Sequence, residues 1–202
     1  DTATRTAIID FVSAVTDEGG ADYVAPEARV AVFDNDGTLW TEKPMVTQLH
    51  YLLGEWKRAA EADPTLAEKQ PYQAAVSGDL GWLAAAVDKH YAGDDADLGV
   101  LIAAVAGSSA GQSVDEYAAS VEEFYRDARH LSLGTPYSLT VYQPMVELVR
   151  YLDANGFATY IVSGGERDFM RPMTVANYGI PAERVIGTGL GLTYDEEANV
   201  VR

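Results

Sequence analysis

This sequence predicts an α/β fold, with a parallel-sheet core interrupted by a helical insertion. Three observations carry that expectation. Short apolar runs of strand length stand at 29–33 (RVAVF), 157–162 (FATYIV) and 184–187 (RVIG). Segments of helical period flank them, and strands alternating with helices imply parallel βαβ units. The stretch from about 44 to 130 breaks this alternation, being Ala-rich with few clustered β-branched residues.

Taken in order, residues 4–15 form an amphipathic helix with Ile8, Phe11, Val12 and Val15 on one stripe, ended by the Asp-Glu-Gly-Gly run at 17–20. The run at 29–33 is continuous and Val-rich, the pattern of a strand buried on both faces. Directly after it comes DNDGTLW, residues 34–40. The following block reads as several short helices broken at Pro64, Gly78, Gly93 and Gly107. One of these opens with a capping box, Ser113 and Glu116, ahead of Tyr117, Val121, Phe124 and Tyr125. After Gly134-Thr135-Pro136 the alternation returns. Residues 144–154 are helical and closed by Asn155-Gly156, and the strand at 157–162 runs into Ser163-Gly164-Gly165. A helix over 168–178 stops at Gly179, the third strand follows, and 190–201 forms a hairpin around Asp195-Glu196-Glu197.

Composition narrows the function classes. Hydrophobic residues make up 48% and charged residues 22%, ordinary for a globular domain, and no apolar run is long enough to span a bilayer. The absence of cysteine excludes disulfides, thiolate metal sites and cysteine nucleophiles. A net charge of −17 repels nucleic acid and anionic lipid, so neither is an expected partner. The chain opens on Asp1 rather than Met, so the compartment stays open: a cytoplasmic protein and an exported one with its signal peptide removed would look alike.

Asp34 and Asp36 stand where a parallel strand ends, the usual address of a ligand in an open α/β sheet. Two residues apart on extended chain they point the same way, and Gly37 lets the backbone turn sharply beside them. Such a pair repels itself without a cation, and a hard, oxygen-preferring ion such as Mg²⁺ suits it. A plain Asx-type turn is the structural alternative. A calcium loop is excluded, because with Gly37 at its invariant glycine the first and last ligands would be Val32 and Lys43.

With these residues in view, the sequence resembles the haloacid dehalogenase superfamily. Asp34-Asn35-Asp36-Gly37-Thr38 matches its first motif and Ser163 its second, while VFDNDGTLW, YQPM, IVSGG and FMRP resemble its phosphoserine-phosphatase-like branch. The similarity runs over nearly the whole chain from Arg29 onward. It implies a Rossmann-like core at 1–41 and 135–202 with a helical cap at 42–134. It also implies phosphoester hydrolysis in two steps. Asp34 would be the nucleophile and Asp36 the acid and then base. Mg²⁺ would be held by Asp34 and Asp36, and phosphate by Ser163 and the Gly164 N–H at a helix N-terminus. Members that cleave carbon–halogen bonds generally lack an acid at the Asp36 position, since halide leaves without a proton. Glu42, just past the motif, is expected either to touch a substrate amine or hydroxyl or to be a solvated charge. Trp40 and Met45 read as packing residues between core and cap. Arg167 and Arg171 either add positive potential or pair with Glu166 or Asp168. His50, His90 and His130 are read as isolated, without carboxylate partners.

Two further motifs of the superfamily, a basic residue and a last acidic metal ligand, are not found. Lys89 is the last lysine, and Asp195-Glu196-Glu197 reads as a turn. The expectation is therefore a core whose C-terminal part is absent, leaving the Asp34 strand as an apolar edge. A chain ending at Arg202 would then be inactive and self-associate, unless a C-terminal segment completes the sheet. The function expected is a phosphomonoesterase acting on a small phosphorylated metabolite. A phosphomutase or phosphotransferase, or a non-catalytic binding module, remain the alternatives.

Overall fold

The computed structural model describes residues 2–201. Helix α1, Ala3–Thr16, begins at Thr2, whose hydroxyl accepts from the Arg5 N–H, and ends as the Asp17 N–H reaches Ser13 O. Its inner face is Ile8, Val12 and Val15. Phe11, expected on the same stripe, is 59% exposed, because the buried arc is narrower than the apolar one.

Strand β1, Val30–Phe33, pairs in parallel with β2, Ala158–Glu166, which pairs in parallel with β3, Val185–Thr188. The order β1-β2-β3 leaves β1 at an edge. Helix α7, Gln143–Ala154, leads into β2, and α8, Arg167–Tyr178, links β2 to β3. Val12 and Val15 of α1 pack with Leu152 of α7 and Phe157, against Ala31 and Phe33. Each such side chain fully buried contributes roughly 1.5–3 kcal/mol. Arg29 ties the start of β1 down, donating from Nε to Val24 O (2.7 Å) and from Nη1 to Asn155 O (3.1 Å).

The expectation that β1 is buried on both faces is corrected. Side chains alternate along a strand. Ala31, Phe33, Thr159, Ile161 and Val185 share the covered face, whereas Val30, Val32, Val162 and Ile186 are 54%, 59%, 41% and 52% exposed on the other. An apolar run cannot by itself distinguish one covered face from two.

The chain divides into two compact units. The first comprises Asp1–Pro44 and Tyr125–Gly189 and contains the sheet. The second comprises Met45–Phe124 and Leu190–Arg202. Its helices are α2 (Thr47–Ala62), α3 (Tyr72–Ser77), α4 (Gly81–Tyr91), α5 (Ala96–Ser108) and the first part of α6 (Val114–Asp127). Pro64 and Gly78 act as the breaks they were expected to be, with Gly78 at φ +74° as a helix cap. Gly107 does not: α5 runs through it to Ser108, and Gly111 at φ +81° makes the turn. The capping box forms as expected, Ser113 N–H to Glu116 Oε2 (2.7 Å) and Glu116 N–H to Ser113 Oγ (3.2 Å). The hairpin is short, β4 (Tyr194–Asp195) against β5 (Val200–Val201), with Asp195 Oδ1 accepting from the Glu197 and Ala198 N–H groups. No described helix is long and apolar enough to cross a membrane.

Candidate active site

The loop after β1 is built by its own backbone. Asn35 O accepts the N–H groups of Thr38 (3.1 Å), Leu39 (2.8 Å) and Trp40 (3.4 Å), and the Gly37 N–H returns to Trp40 O (2.9 Å). Gly37 stands at φ +72°, a conformation costly for any residue with a Cβ. Beyond the loop, Thr41 N–H reaches Thr140 O and Tyr142 N–H reaches Leu39 O, joining it to the segment that precedes α7.

Asp34 is exposed and Asp36 half-buried. Burial raises the Asp36 carboxyl above its ordinary range. A hydrogen bond from Trp40 opposes that shift, and the negative charges of Asp34 and Glu42 add to it. Trp40 Nε1–H donates to Asp36 Oδ1 at 2.7 Å. Glu42 is folded back on the loop: a Cβ on Gly37 would lie 2.9 Å from Glu42 Cδ. Lys43 approaches the Glu42 carboxylate only loosely, at 3.9 Å. Three carboxylates thus share one end of β1 with little cationic compensation.

The turn at the end of β2 faces this cluster. Pairing of β2 with β3 shifts register between Val162 and Glu166, so Ser163, Gly164 and Gly165 form an irregular extension of the strand. Ser163 Oγ accepts the Gly165 N–H (3.2 Å). A Cβ on Gly165 would stand 3.5 Å from Ser163 Oγ and 3.8 Å from Asp36 Oδ2, which brings the two turns together. Gly164 O accepts from Thr188 Oγ1 (2.9 Å). Helix α8 begins at Arg167 with Glu166 at its N-cap, so Ser163 and Gly164 end the strand just ahead of the helix, in the order the sequence reading gave.

Arg167 and Arg171 both pair with Asp168, at 3.1 and 2.8 Å, the second of the two readings the sequence allowed. Trp40 is 1% exposed and does pack, its ring 5.6 Å from that of Tyr125. Its hydrogen bond to Asp36 was not foreseen; the four-residue spacing Asp36 to Trp40 was the available signal. The histidines are not all isolated. His90 Nδ1 lies 2.6 Å from Asp95 Oδ1. His130 is buried, its Nδ1 accepting the N–H groups of Ser132 and Leu133. A cavity of about 370 Å³ in the second unit is lined by Ser113, Val114, Asp115, Asn199, Val200 and Val201, none of which carries the chemistry at β1.

For a metal, the donor chemistry fits in kind. Asp34 offers hard carboxylate oxygens and Asp36 a backbone carbonyl oxygen amid an excess of negative charge, which suits Mg²⁺. Among the described residues, however, no group of three or more His, Asp or Glu side chains is placed to hold an ion.

The fold and this site define an α/β protein with a carboxylate centre at the carboxyl end of a parallel sheet. The chain belongs to the haloacid dehalogenase-like hydrolases, whose family model matches residues 31–199. Among solved structures it is similar to a protein of unknown function from Bordetella pertussis Tohama I, 20% identical with a TM-score of 0.51 over 83% of this chain. It is also similar to a phosphoserine phosphohydrolase-like protein from Francisella tularensis subsp. tularensis SCHU S4, 18% identical with a TM-score of 0.40 over 85% of this chain. The chain spans 62% of the length of each of these two structures. No curated protein matched.

Proposed function

We propose that the protein is a Mg²⁺-dependent phosphomonoester hydrolase of the phosphoserine-phosphatase-like branch, acting on a small phosphorylated metabolite. One observation carries this reading: the exposed Asp34 and the half-buried Asp36 end β1, and Asp36 Oδ2 faces the Ser163–Gly165 turn. Bringing the ends of β1 and β2 together in this way supports reading Asp34 as nucleophile, Asp36 as proton carrier and the Ser163–Gly165 turn as phosphate cradle.

A carboxylate oxygen of Asp34 attacks phosphorus and the ester P–O bond breaks, giving an aspartyl-phosphate and an alcohol. Asp36 delivers its proton to the departing oxygen, and burial, which raises its carboxyl above the ordinary range, favours the protonated form. Water then attacks phosphorus, Asp36 takes the water's proton, and the bond to Asp34 breaks to release phosphate. Ser163 Oγ–H and the Gly164 N–H donate to phosphate oxygens. When bound, Mg²⁺ held by Asp34 and Asp36 would neutralise charge on the transferring group. Glu42, tucked over Gly37, would meet the part of the substrate beyond the phosphate. The helical block Met45–Phe124 corresponds to the cap that this family inserts after its first motif, and would supply further specificity.

Asp34→Asn in the complete protein tests the reading. It changes no shape at an exposed strand end, so the fold should persist while hydrolysis of 4-nitrophenyl phosphate with Mg²⁺ falls on the order of 10³-fold or more. Retained turnover would remove Asp34 from the nucleophile's role.

A further inference from the structure

Trp40 is a fully buried side chain bonded to the site. It is 1% exposed, and its ring stacks obliquely on Tyr125, whose ring lies 5.2 Å from that of Phe169 and whose hydroxyl donates to Phe169 O (3.1 Å). Its backbone is fixed as well, since Trp40 O accepts from Gly37 and its N–H points to Asn35 O. The indole is therefore held by Tyr125 of α6, itself braced by Phe169 of α8, and by its own loop, and its one polar atom is aimed at Asp36 Oδ1 at 2.7 Å. A terminal carboxylate torsion is broad and two-fold, so an untethered Asp36 would present either oxygen to a substrate. Here Oδ1 is occupied by a donor that cannot accept a proton in exchange, because an indole N–H only donates. The other oxygen, Oδ2, is the one that lies toward Gly165, 3.8 Å from where a Cβ on that glycine would stand.

We propose that Trp40 is a positioning residue that fixes the Asp36 carboxylate so that Oδ2 alone exchanges protons with the substrate. The proposal rests on the reading of Asp34 as nucleophile and Asp36 as acid and base. A buried indole also seeks a partner for purely structural reasons. The two roles differ in what they do to the leaving group. Loosened aim at Asp36 harms esters that need a proton to leave and spares those that do not, since general-acid assistance matters most for a poor leaving group. A merely structural loss harms both alike.

The test uses the complete protein with Trp40 replaced by its benzothiophene isostere, which exchanges the N–H for sulfur at nearly constant volume, and with Trp40→Phe. kcat and KM are measured for glycerol 2-phosphate and 4-nitrophenyl phosphate, with Asp34→Asn and Asp36→Asn alongside. The isostere should lower kcat on glycerol 2-phosphate about tenfold to a hundredfold, the scale of a small misplacement of a catalytic group. KM should stay within about twofold and the loss on 4-nitrophenyl phosphate under about threefold, in the same direction as the ratio for Asp36→Asn. Equal losses on both esters, or none on either, would overturn the positioning role. The indole ¹⁵N–¹H resonance of Trp40 supplies a readout without turnover: it should shift on Asp36→Ala, and an unmoved signal removes the bond itself. If Asp34→Asn keeps its activity, or the wild type hydrolyses neither ester, the catalytic reading fails and takes this role with it. An unequal loss on replacing Trp40, with Asp34→Asn inactive, sustains both.

Discussion

The turns that end β1 and β2 face each other yet are built in opposite ways. The turn after β1 is closed by itself: three N–H groups converge on Asn35 O, Gly37 bonds back to Trp40 O, and the Trp40 indole bonds to Asp36, all within six residues. The turn after β2 is held mainly from elsewhere. Its Gly164 carbonyl is bonded by Thr188, and its Gly165 carbonyl lies against Gly187, both residues of β3. A self-contained turn must carry its instructions in adjacent residues, and DNDGTLW does. A turn held by a distant strand leaves only a weak local trace, and Ser-Gly-Gly is such a trace.

That contrast can be broken at its glycines. The largest effect is expected at Gly187, where a Cβ would come 2.6 Å from Gly165 O and 2.9 Å from Met170 Cε. Backbone cannot swing aside as a side chain can, so Gly187→Ala should cost about 1–3 kcal/mol and push β3 away from the turn. Gly164→Ala is the matched control. It meets nothing within 4 Å and should leave stability within about 0.5 kcal/mol. Urea unfolding of both variants measures the difference. Equal midpoints would mean that β3 does not hold the turn after β2.

A smaller loss is expected at Gly37→Ala, about 1 kcal/mol, from its positive φ. The added methyl would also displace the Glu42 carboxyl, which is flexible enough to yield. If Glu42 touches substrate, KM should rise with little change in kcat, so unfolding and kinetics together separate the two consequences. An unchanged urea midpoint would show that the loop tolerates a Cβ and is less tightly self-determined than its hydrogen bonds imply.

The smallest effect concerns charge in the first turn. Asp36 is raised above its ordinary 3.8, first by burial, with Trp40 opposing and Asp34 and Glu42 reinforcing. A carboxyl raised on folding favours the fold while protonated. That contribution is fully present below the unfolded value and is lost as pH rises through the folded one. Asp36→Asn cannot ionise and keeps the oxygen that Trp40 needs. It should therefore melt slightly higher than wild type at neutral pH without divalent cation, with the gap closing toward about pH 3. A variant that melts lower at neutral pH would mean the ionised carboxylate is a net stabiliser of its turn.

The sequence by itself determined the strands and the helices around them, because period and end signals are local. Pro64, Gly78, Gly179 and the Ser113–Glu116 box each work through neighbours at most a few residues away. It also marked Asp34, Asp36 and Ser163 as residues of interest. What it could not determine was which face of a strand is covered, since Val30 and Val32 are as apolar as Phe33 and only the packing of α1 and α7 chooses between them. Nor could it place Gly107 inside a helix or His130 under its own loop. Only the tertiary structure decided that Asp36 would offer Oδ2 to the turn after β2 while Trp40 held Oδ1. The direction of a carboxylate is set by what fills the space around it, and here the Trp40 indole lies against one oxygen and Gly165 of the turn after β2 lies toward the other.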